Sequence, residues 1–201
     1  MDLNYVSRKD RIIASAIEII SEAGLASLTT KNLAMKENMS ESLLYRYFGG
    51  IEEVLVEVIN TFVKFDDSIM ATIEAKDITS LEKAVDFLKT LSSYYAGYPE
   101  LGAIVLNYEE FLHNVNTRES IAACIEKRTA FVSQKLQDAM DQGEIVKKFT
   151  AEELTNLFFG CMDRDLLNRR IRYESKNHTQ TAGLLLEKMA SALKVRMDSE
   201  E

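Results

Sequence analysis

The sequence predicts an all-α protein with about nine helices, arranged as a small N-terminal head and a larger helical body. Only one proline and eight glycines occur in 201 residues, so residues that interrupt helices are scarce. Apolar side chains make up 46% of the chain, which is enough to form a buried core. These side chains recur at intervals of three and four residues, the period of one helix face. We place the boundary at Gly50, with the head in residues 1–50 and the body in residues 51–201.

The head contains three predicted helices. Ser7 is placed to cap the first helix, and Gly24 is placed to end it with a left-handed backbone conformation. Thr29 and Thr30 can cap a short second helix, and Ser40 can cap a third. Two short helices joined by a turn of three to four residues form a helix-turn-helix pattern.

The body begins with three further helices. A break at Gly49-Gly50 precedes a long fourth helix, whose apolar stripe reaches about residue 75. Thr79 and Glu82 form a capping box for the fifth helix. Pro99 suits the first position of a sixth helix, which should stop between residues 114 and 116.

The last three helices suggest self-association. The seventh is predicted over residues 117–143, the eighth opens with a second capping box of Thr150 and Glu153, and the last covers residues 179–195. The eighth helix is apolar nearly all round between Leu154 and Met162, so it needs partners on several sides. We expect a homodimer with an interface formed by Leu154, Phe158, Cys161, Met162, Leu185, Leu186, Met189 and Leu193.

The charge of the chain is distributed unevenly. The net charge is −8, which by itself argues against binding to nucleic acid. Through Gly50, however, six basic side chains balance six acidic ones, whereas the rest of the chain has 18 basic and 26 acidic side chains. A neutral head on an acidic body is compatible with a head that faces DNA.

Several other classes of protein lack support in the sequence. Neither a run of ~18 apolar residues nor a secretory leader is present, so we expect a cytoplasmic protein without a membrane partner. Cys124 and Cys161 lie within apolar helical patterns and are expected to be buried thiols. With His113 and His178 as the two histidines and no recognisable catalytic motif, we predict no catalytic residues, no cofactor and no metal site.

Residues 28–56, LTTKNLAMKENMSESLLYRYFGGIEEVLV, resemble the head of the TetR family of bacterial transcriptional regulators. The resemblance is carried by Thr29, Thr30, Leu33, Ala34, Ser40, Leu44, Tyr45, Tyr47, Phe48, Gly49 and Glu52. It implies a homodimer that binds a palindromic DNA operator and responds to a small-molecule effector, with ligand-relieved repression as the expected sense of regulation. Asn38 at the turn glycine, Ser42 at a common glycine position and Ile51 at a lysine that contacts phosphate in relatives depart from the pattern.

The resemblance implies a set of residues that face DNA. The recognition helix enters the major groove, so Glu41, Ser42 and Leu43 come nearest the base edges. Glu41 can accept a hydrogen bond from a cytosine amine, and Leu43 can contact a thymine methyl group. The other members of the set would hold phosphates: Thr29, Thr30, Lys31, Ser40, Tyr45 and Tyr47. Arg46 can contact either a base or a phosphate.

A different interpretation of the same segment is that its tyrosines belong to the core of a small helical cap. Tyr45 and Tyr47 point about 200° apart on a helix, so both cannot enter one core. At least one tyrosine hydroxyl must therefore face outward, whereas Leu44 and Phe48 are expected in the core.

The body carries aromatic side chains on its fourth to seventh helices. Aromatic residues at helical spacing can simply form a core, or they can line a cavity for an apolar or aromatic effector, which is where relatives in the resembled family bind theirs. The candidate ligand-binding residues are Phe62, Phe65, Phe87, Tyr94, Tyr95, Tyr108, Phe111, Arg128 and Phe131. Asn107 and His113 are further candidates for polar contacts.

Two other functions stay open at this stage. Ile51, the neutral head and the acidic body favour a helical ligand-binding or protein-interaction module that has lost specific DNA binding. An α-helical enzyme that uses the aromatic cavity is the second alternative. Salt dependence separates DNA binding from the first alternative, because phosphate contacts give a steep loss of affinity with rising salt.

Overall fold

The computed structural model describes residues 7–172 and 179–195. Within these residues the chain forms ten α-helices, and the prediction of an all-α fold is confirmed. Their bounds are α1 (Arg8–Ala23), α2 (Thr30–Lys36), α3 (Glu41–Leu44), α4 (Ile51–Glu74), α5 (Ser80–Gly97), α6 (Pro99–Leu106), α7 (Tyr108–His113), α8 (Arg118–Asp141), α9 (Ala151–Arg172) and α10 (Thr179–Leu193). His178, one of the two histidines weighed above, lies outside the described residues.

The described residues form two compact units. Unit 1 contains residues 7–65 and 98–124, and so includes α1, α2, α3, α6 and α7 with parts of α4 and α8. Unit 2 contains residues 66–97, 125–172 and 179–195, with α5, α9, α10 and the remaining parts of α4 and α8. The helices α6 and α7 thus belong to the same compact unit as the head. The functional boundary at Gly50 stays a prediction.

The helix α1 begins as predicted and ends with a different backbone geometry. Ser7 Oγ accepts a hydrogen bond from the Asp10 backbone N–H at 3.1 Å, and the Asp10 carboxylate accepts one from the Ser7 N–H at 3.3 Å. This reciprocal pair is a capping box. Gly24 has φ 83° and ψ 166°, so the expected left-handed cap is wrong, although a positive φ still favours glycine there.

The two short helices of the head are capped by the predicted hydroxyl groups. Thr29 Oγ1 accepts from the Asn32 N–H at 3.1 Å at the start of α2, and Ser40 Oγ accepts from the Leu43 N–H at 3.2 Å at the start of α3. Asn38, at the turn between them, has the left-handed φ of 51° that its residue type tolerates. The helix α3 ends at Leu44, and Tyr45 is its C-cap residue, with right-handed φ −62° and ψ −16°, at the start of a turn over residues 45–47.

The predicted sixth helix is two helices in the structure. Asn107 separates α6 from α7 with φ −105° and ψ 15°. Its side-chain amide donates to the Ala103 carbonyl at 2.6 Å, and its backbone N–H donates to the Ile104 carbonyl at 3.0 Å. A polar side chain that binds the preceding turn competes with the regular helical hydrogen bonds, which explains the interruption.

Unit 2 is built around α5, which packs against α9 and α10. The predicted capping boxes of α5 and α9 are both present. A third contact was not predicted: the Glu144 carboxylate accepts from the backbone N–H groups of Ser80 and Leu81 at 3.0 and 3.1 Å. Negative charge at the N-terminus of α5 is favourable because of the helix dipole.

The end of α10 pairs with the segment before α9. Ile145 and Lys194 form an isolated antiparallel bridge, with Val146 N–H donating to the Leu193 carbonyl at 2.9 Å. This backbone pairing ends α10 at Leu193, two residues before the predicted limit. Within the described ranges, every helix is too short or too polar to cross a bilayer.

Candidate nucleic-acid interface and ligand-binding residues

The predicted DNA-facing residues of the head are accessible on its surface. Exposed side chains are those of Thr29, Lys31, Ser40, Glu41, Ser42, Tyr45 and Arg46, and half-buried ones are those of Thr30, Leu43 and Tyr47. All ten lie in α2, α3 or the residues that flank them. The head therefore presents hydroxyl, basic and acidic groups to solvent on these two helices.

The aromatic residues of the head differ in burial, as expected from their positions along the chain. Leu44 and Phe48 are each 2% exposed, whereas Tyr45 is 53% exposed. The interpretation of Leu44 and Phe48 as core residues is confirmed, and Tyr45 directs its ring to solvent. The Lys9 ammonium group lies 5.1 Å from the centroid of the Phe48 ring, a cation–π distance.

The capping hydroxyl groups accept hydrogen bonds from backbone N–H groups. Thr29 Oγ1 and Ser40 Oγ both do so, and a hydroxyl group can accept and donate at once. Ser40 Oγ also lies 3.0 Å from Ser42 Oγ, and either hydroxyl group can be the donor of that bond. Both groups stand at helix N-termini, where the helix dipole and nearby N–H groups favour an anion. Such an arrangement suits contact with a phosphate.

A buried carboxylate that the sequence analysis missed organises the turn of the head. Glu37 follows α2 and is 8% exposed. Its carboxylate accepts from Ser15 Oγ at 2.7 Å and from Arg11 Nη2 at 3.3 Å, and Arg8 Nη2 donates to its backbone carbonyl at 3.5 Å. These cations offset a negative charge that is unfavourable at a helix C-terminus. The available signal was the spacing of Arg8, Arg11 and Ser15, which places them on one face of α1.

Lysine charge in the head is partly neutralised by neighbouring acids. Lys36 Nζ lies 2.9 Å from Glu18 Oε2 and 3.4 Å from Glu22 Oε2. Hydrogen bonding to Glu18 raises the pKa of Lys36, and Glu22 acts in the same direction. Lys36 is therefore engaged with α1, whereas Lys31 is exposed at the start of α2.

The first turn of α4 is held by residues from the turn between α7 and α8. The Glu52 carboxylate accepts from the side-chain amides of Asn114 and Asn116 at 2.9 and 3.1 Å. Glu53 accepts from the Gly49 N–H at 2.6 Å. Ile51, where the family resemblance leads us to expect a lysine, is the half-buried first residue of α4.

In unit 1, the predicted ligand-binding residues divide between core and partial exposure. Phe62 is 3% exposed and Phe111 0%, so both are core residues of this unit. Phe65 and Tyr108 are half-buried. The core interpretation fits the first pair, and the second pair retains accessible ring surface.

In unit 2, the predicted ligand-binding aromatic residues form two ring pairs. The rings of Phe87 and Phe131 are 4.9 Å apart between centroids. The rings of Tyr94 and Tyr95 are 6.0 Å apart, with Tyr95 buried and Tyr94 half-buried. Phe87 is buried and Phe131 half-buried, so each pair keeps one ring that is partly accessible.

Arg128 is engaged within the protein rather than held open for a ligand. It is 4% exposed and binds Asp66, which is 2% exposed. Arg128 Nε lies 2.5 Å from Asp66 Oδ2, and Nη2 lies 3.0 Å from Oδ1. A ligand would have to compete with Asp66 for this guanidinium group. The partner Asp66 was not predicted, because charge spacing alone does not show that two residues 62 positions apart meet.

The two other polar candidates are bound locally. Asn107 donates to Ala103 as described above, and His113 is exposed, with Nε2 3.1 Å from the Glu109 carboxylate. Among the described residues, His, Cys, Asp and Glu side chains form no group of three or more that could hold a metal ion.

Two cavities of unit 2 lie away from most of the candidate ligand-binding residues. The larger, of about 250 Å³, is between α5 and α10 and is lined by charged and apolar side chains that include Lys89, Glu187 and Lys194. None of the nine candidates lines it. The smaller cavity, of about 10 Å³, includes Tyr95 in its lining.

The predicted dimer interface stays a prediction, and burial within a single copy leaves few of its members accessible. Five members are at most 9% exposed and pack inside unit 2: Leu154, Phe158, Met162, Leu186 and Leu193. Cys161 and Met189 are half-buried, and Leu185 is 45% exposed. Burial raises the pKa of the Cys161 thiol, with a further contribution from Asp165. Cys124 is buried, as expected, and Cys161 is only partly so.

The large apolar side chains that α9 and α10 expose include only one member of the predicted interface, Leu185. They are Leu157, Leu167, Ile171, Leu184 and Leu185. Because α9 is apolar nearly all round between Leu154 and Met162, its sequence did not indicate which face turns inward. The face that contains Phe158 packs against α5 and α10.

Residues 12–58 match the family model described as "Bacterial regulatory proteins, tetR family", which covers most of α1, all of α2 and α3, and the start of α4. The matched segment is the helix-turn-helix head described above, a domain found in transcriptional regulators. Residues 12–58 therefore carry the helix-turn-helix domain of the TetR family. The comparison with curated proteins finds no match.

Solved structures share the fold along nearly the whole chain. The regulator FadR from Bacillus subtilis, solved in complex with stearoyl-CoA, is 20% identical with a TM-score of 0.75, covering 91% of this chain and 98% of FadR. The ketosteroid transcriptional regulator KstR2 of Mycobacterium tuberculosis is 14% identical with a TM-score of 0.79, covering 97% and 98%. The TetR family regulator PfmR from Thermus thermophilus is 16% identical with a TM-score of 0.76, covering 90% and 98%.

Proposed function

We propose that this protein is a ligand-responsive transcriptional regulator, a homodimeric repressor that binds a palindromic operator and is released from it by a small apolar or aromatic effector. The observation that carries the proposal is the exposed face of the head, where Thr29, Ser40 and Tyr45 offer hydroxyl groups beside Lys31 and Arg46. Hydroxyl, backbone N–H and basic groups hold phosphates and set the register of a recognition helix. Glu41, Ser42 and Leu43 at the start of that helix are the residues proposed to reach base edges.

Two heads are needed for a palindromic site. Their recognition helices must stand about 34–36 Å apart to enter successive major grooves. The exposed leucine and isoleucine side chains of α9 and α10 support a homodimer through these helices, because apolar side chains exposed on adjacent helices gain most by mutual burial.

The effector is proposed to be apolar, because aromatic rings dominate the candidate residues and Arg128 is already neutralised by Asp66. Phe65, Tyr94, Tyr108 and Phe131 retain partial exposure and are the proposed contact residues. FadR with its stearoyl-CoA and the ketosteroid regulator KstR2 suggest long-chain acyl-CoA and steroid compounds as the first candidates. An effector that prefers a dimer with a different spacing of heads weakens DNA binding, typically by about 1–3 kcal/mol of coupling.

The DNA-binding part is tested by selecting bound fragments from the source genome with the purified protein at 50 and 200 mM salt. Enrichment of a palindromic site, with affinity falling about 10³-fold or more over this range if some six phosphates are contacted, supports the proposal. Tyr45→Phe should weaken binding to all sequences alike, because the hydroxyl group is assigned to a phosphate. A folded dimer that enriches no site would favour the module without DNA binding.

The effector part is tested on the selected operator. Fluorescence anisotropy of labelled operator DNA is recorded while stearoyl-CoA, free stearate or a steroid is added. Release by an acyl-CoA or a steroid, with no release by coenzyme A alone, supports an apolar effector. Release by coenzyme A alone would contradict it.

A further inference from the structure

The first residues of the two short helices of the head are joined by a hydrogen bond. Thr30 begins α2 and Glu41 begins α3. Thr30 Oγ1 donates to Glu41 Oε2 at 2.7 Å. Glu41 is exposed, and Thr30 is half-buried. The carboxylate therefore lies on the surface of the head with one oxygen held in place.

This bond restricts the direction of the Glu41 side chain. An ionised carboxylate is purely an acceptor, with two oxygens that can each accept more than one hydrogen bond. Thr30 occupies part of Oε2, and Oε1 remains able to accept from another donor. A side chain that is already oriented loses less conformational entropy when it meets a ligand, so its preference among ligands is expressed more fully.

The chemistry of the major groove decides what such a carboxylate accepts. Cytosine and adenine present amino groups there, whereas guanine and thymine present carbonyl oxygens at the equivalent positions. A carboxylate attracts the amino groups and repels the carbonyl oxygens. It also repels nearby phosphates, so it lowers affinity for every sequence while raising discrimination at one base pair.

We propose that Glu41, held by Thr30, is a specificity determinant that requires an amino-bearing base, cytosine or adenine, at one position of each operator half-site and rejects guanine and thymine there. Thr30 acts as a positioning residue, because it orients the carboxylate that meets the base. The inference rests on the proposed function, since it assumes that the head binds DNA.

The test is selection from a randomised duplex library by the full-length protein and four variants. Glu41→Gln keeps the length of the side chain but supplies a donor as well as an acceptor. Thr30→Val keeps the shape and removes the hydroxyl group, whereas Thr30→Ser retains it. Glu110→Gln removes one exposed carboxylate of α7 and controls for net charge. Thermal unfolding of each variant checks that the head remains folded.

We expect the parent to enrich cytosine or adenine at one half-site position about tenfold or more over the keto bases, the range of a good base contact. In Glu41→Gln this preference should fall to about twofold or less, while affinity for the library as a whole rises. Thr30→Val should lose part of the preference. Thr30→Ser and Glu110→Gln should keep the parental pattern.

Three outcomes would overturn the inference. Glu41→Gln could retain the parental base preference, or the parent could select a site in which no position separates amino bases from keto bases on a given strand. Thr30→Val could match the parent while Glu41→Gln loses discrimination, which would remove the positioning role. If the parent enriches no sequence at all, the proposed function itself fails, an outcome distinct from an unchanged preference in the variants.

Discussion

The ion pair of Asp66 and Arg128 provides the sharpest test of how the buried charges are held. Asp66→Asn keeps the shape of the side chain but leaves a guanidinium group, 4% exposed in the parent, without the carboxylate that binds it through Nε and Nη2. Breaking one partner of a buried pair costs about 3–5 kcal/mol, because the other charge stays in a poorly solvated place. In a protein of this size the melting temperature should fall by about 6–20 °C.

A neighbouring pair supplies the control. Asp67 pairs with Lys127, and their side chains are 47% and 52% exposed. Asp67→Asn should therefore change the free energy of unfolding by less than about 1 kcal/mol, as surface ion pairs do. The double replacement Asp66→Leu with Arg128→Met should be milder than Asp66→Asn, because no unpaired charge is left buried.

The assay is urea unfolding followed by circular dichroism. Every variant is measured at the same protein concentration, because the proposed dimerisation would add to apparent stability. The reasoning is refuted if Asp66→Asn unfolds within about 1 kcal/mol of the parent, or if it is no more destabilised than Asp67→Asn.

Three further outcomes are expected. Hydrogen bonding to Lys135 lowers the pKa of Glu74, so the ionised Glu74 carboxylate stabilises the fold above about pH 4.5, and this stabilisation is lost as the pH falls through the lower folded-state pKa. Glu74→Gln should therefore make the free energy of unfolding less dependent on pH in this acidic range. An unchanged pH dependence would contradict the assignment. Ile51→Lys should raise operator affinity and make the slope of log affinity against log salt concentration steeper by about one. Equal slopes for the parent and the variant, in titrations at several salt concentrations, would exclude a new phosphate contact. Leu157→Glu should shift the dimer towards monomer in analytical ultracentrifugation, whereas Val115→Glu, at another exposed apolar position, should not; a dimeric Leu157→Glu would remove α9 from the interface.

Local signals in the sequence were sufficient to locate five of the helix starts. Capping depends on residues three apart in the chain, so Ser7, Thr79 and Thr150 identified helix starts correctly. The same argument located Thr29 and Ser40 at the starts of the two short helices. The interruption at Asn107 was missed because an asparagine is compatible with a helix until its side chain binds the preceding turn.

Contacts between residues far apart in the sequence could not be predicted from local signals. The pairing of Asp66 with Arg128 and the capping of α5 by Glu144 each join residues more than 60 positions apart, so no local pattern encodes them. Likewise, Phe158 turned inward and Leu157 outward although both are apolar neighbours on α9. Hydrophobicity determines that both side chains favour burial, but the helices packed alongside determine which one is buried within the monomer. The helix starts of the head thus followed from short-range chemistry, and its DNA-facing residues were expected from the family resemblance. Which apolar side chains of α9 and α10 stay exposed depended instead on how α5, α9 and α10 pack.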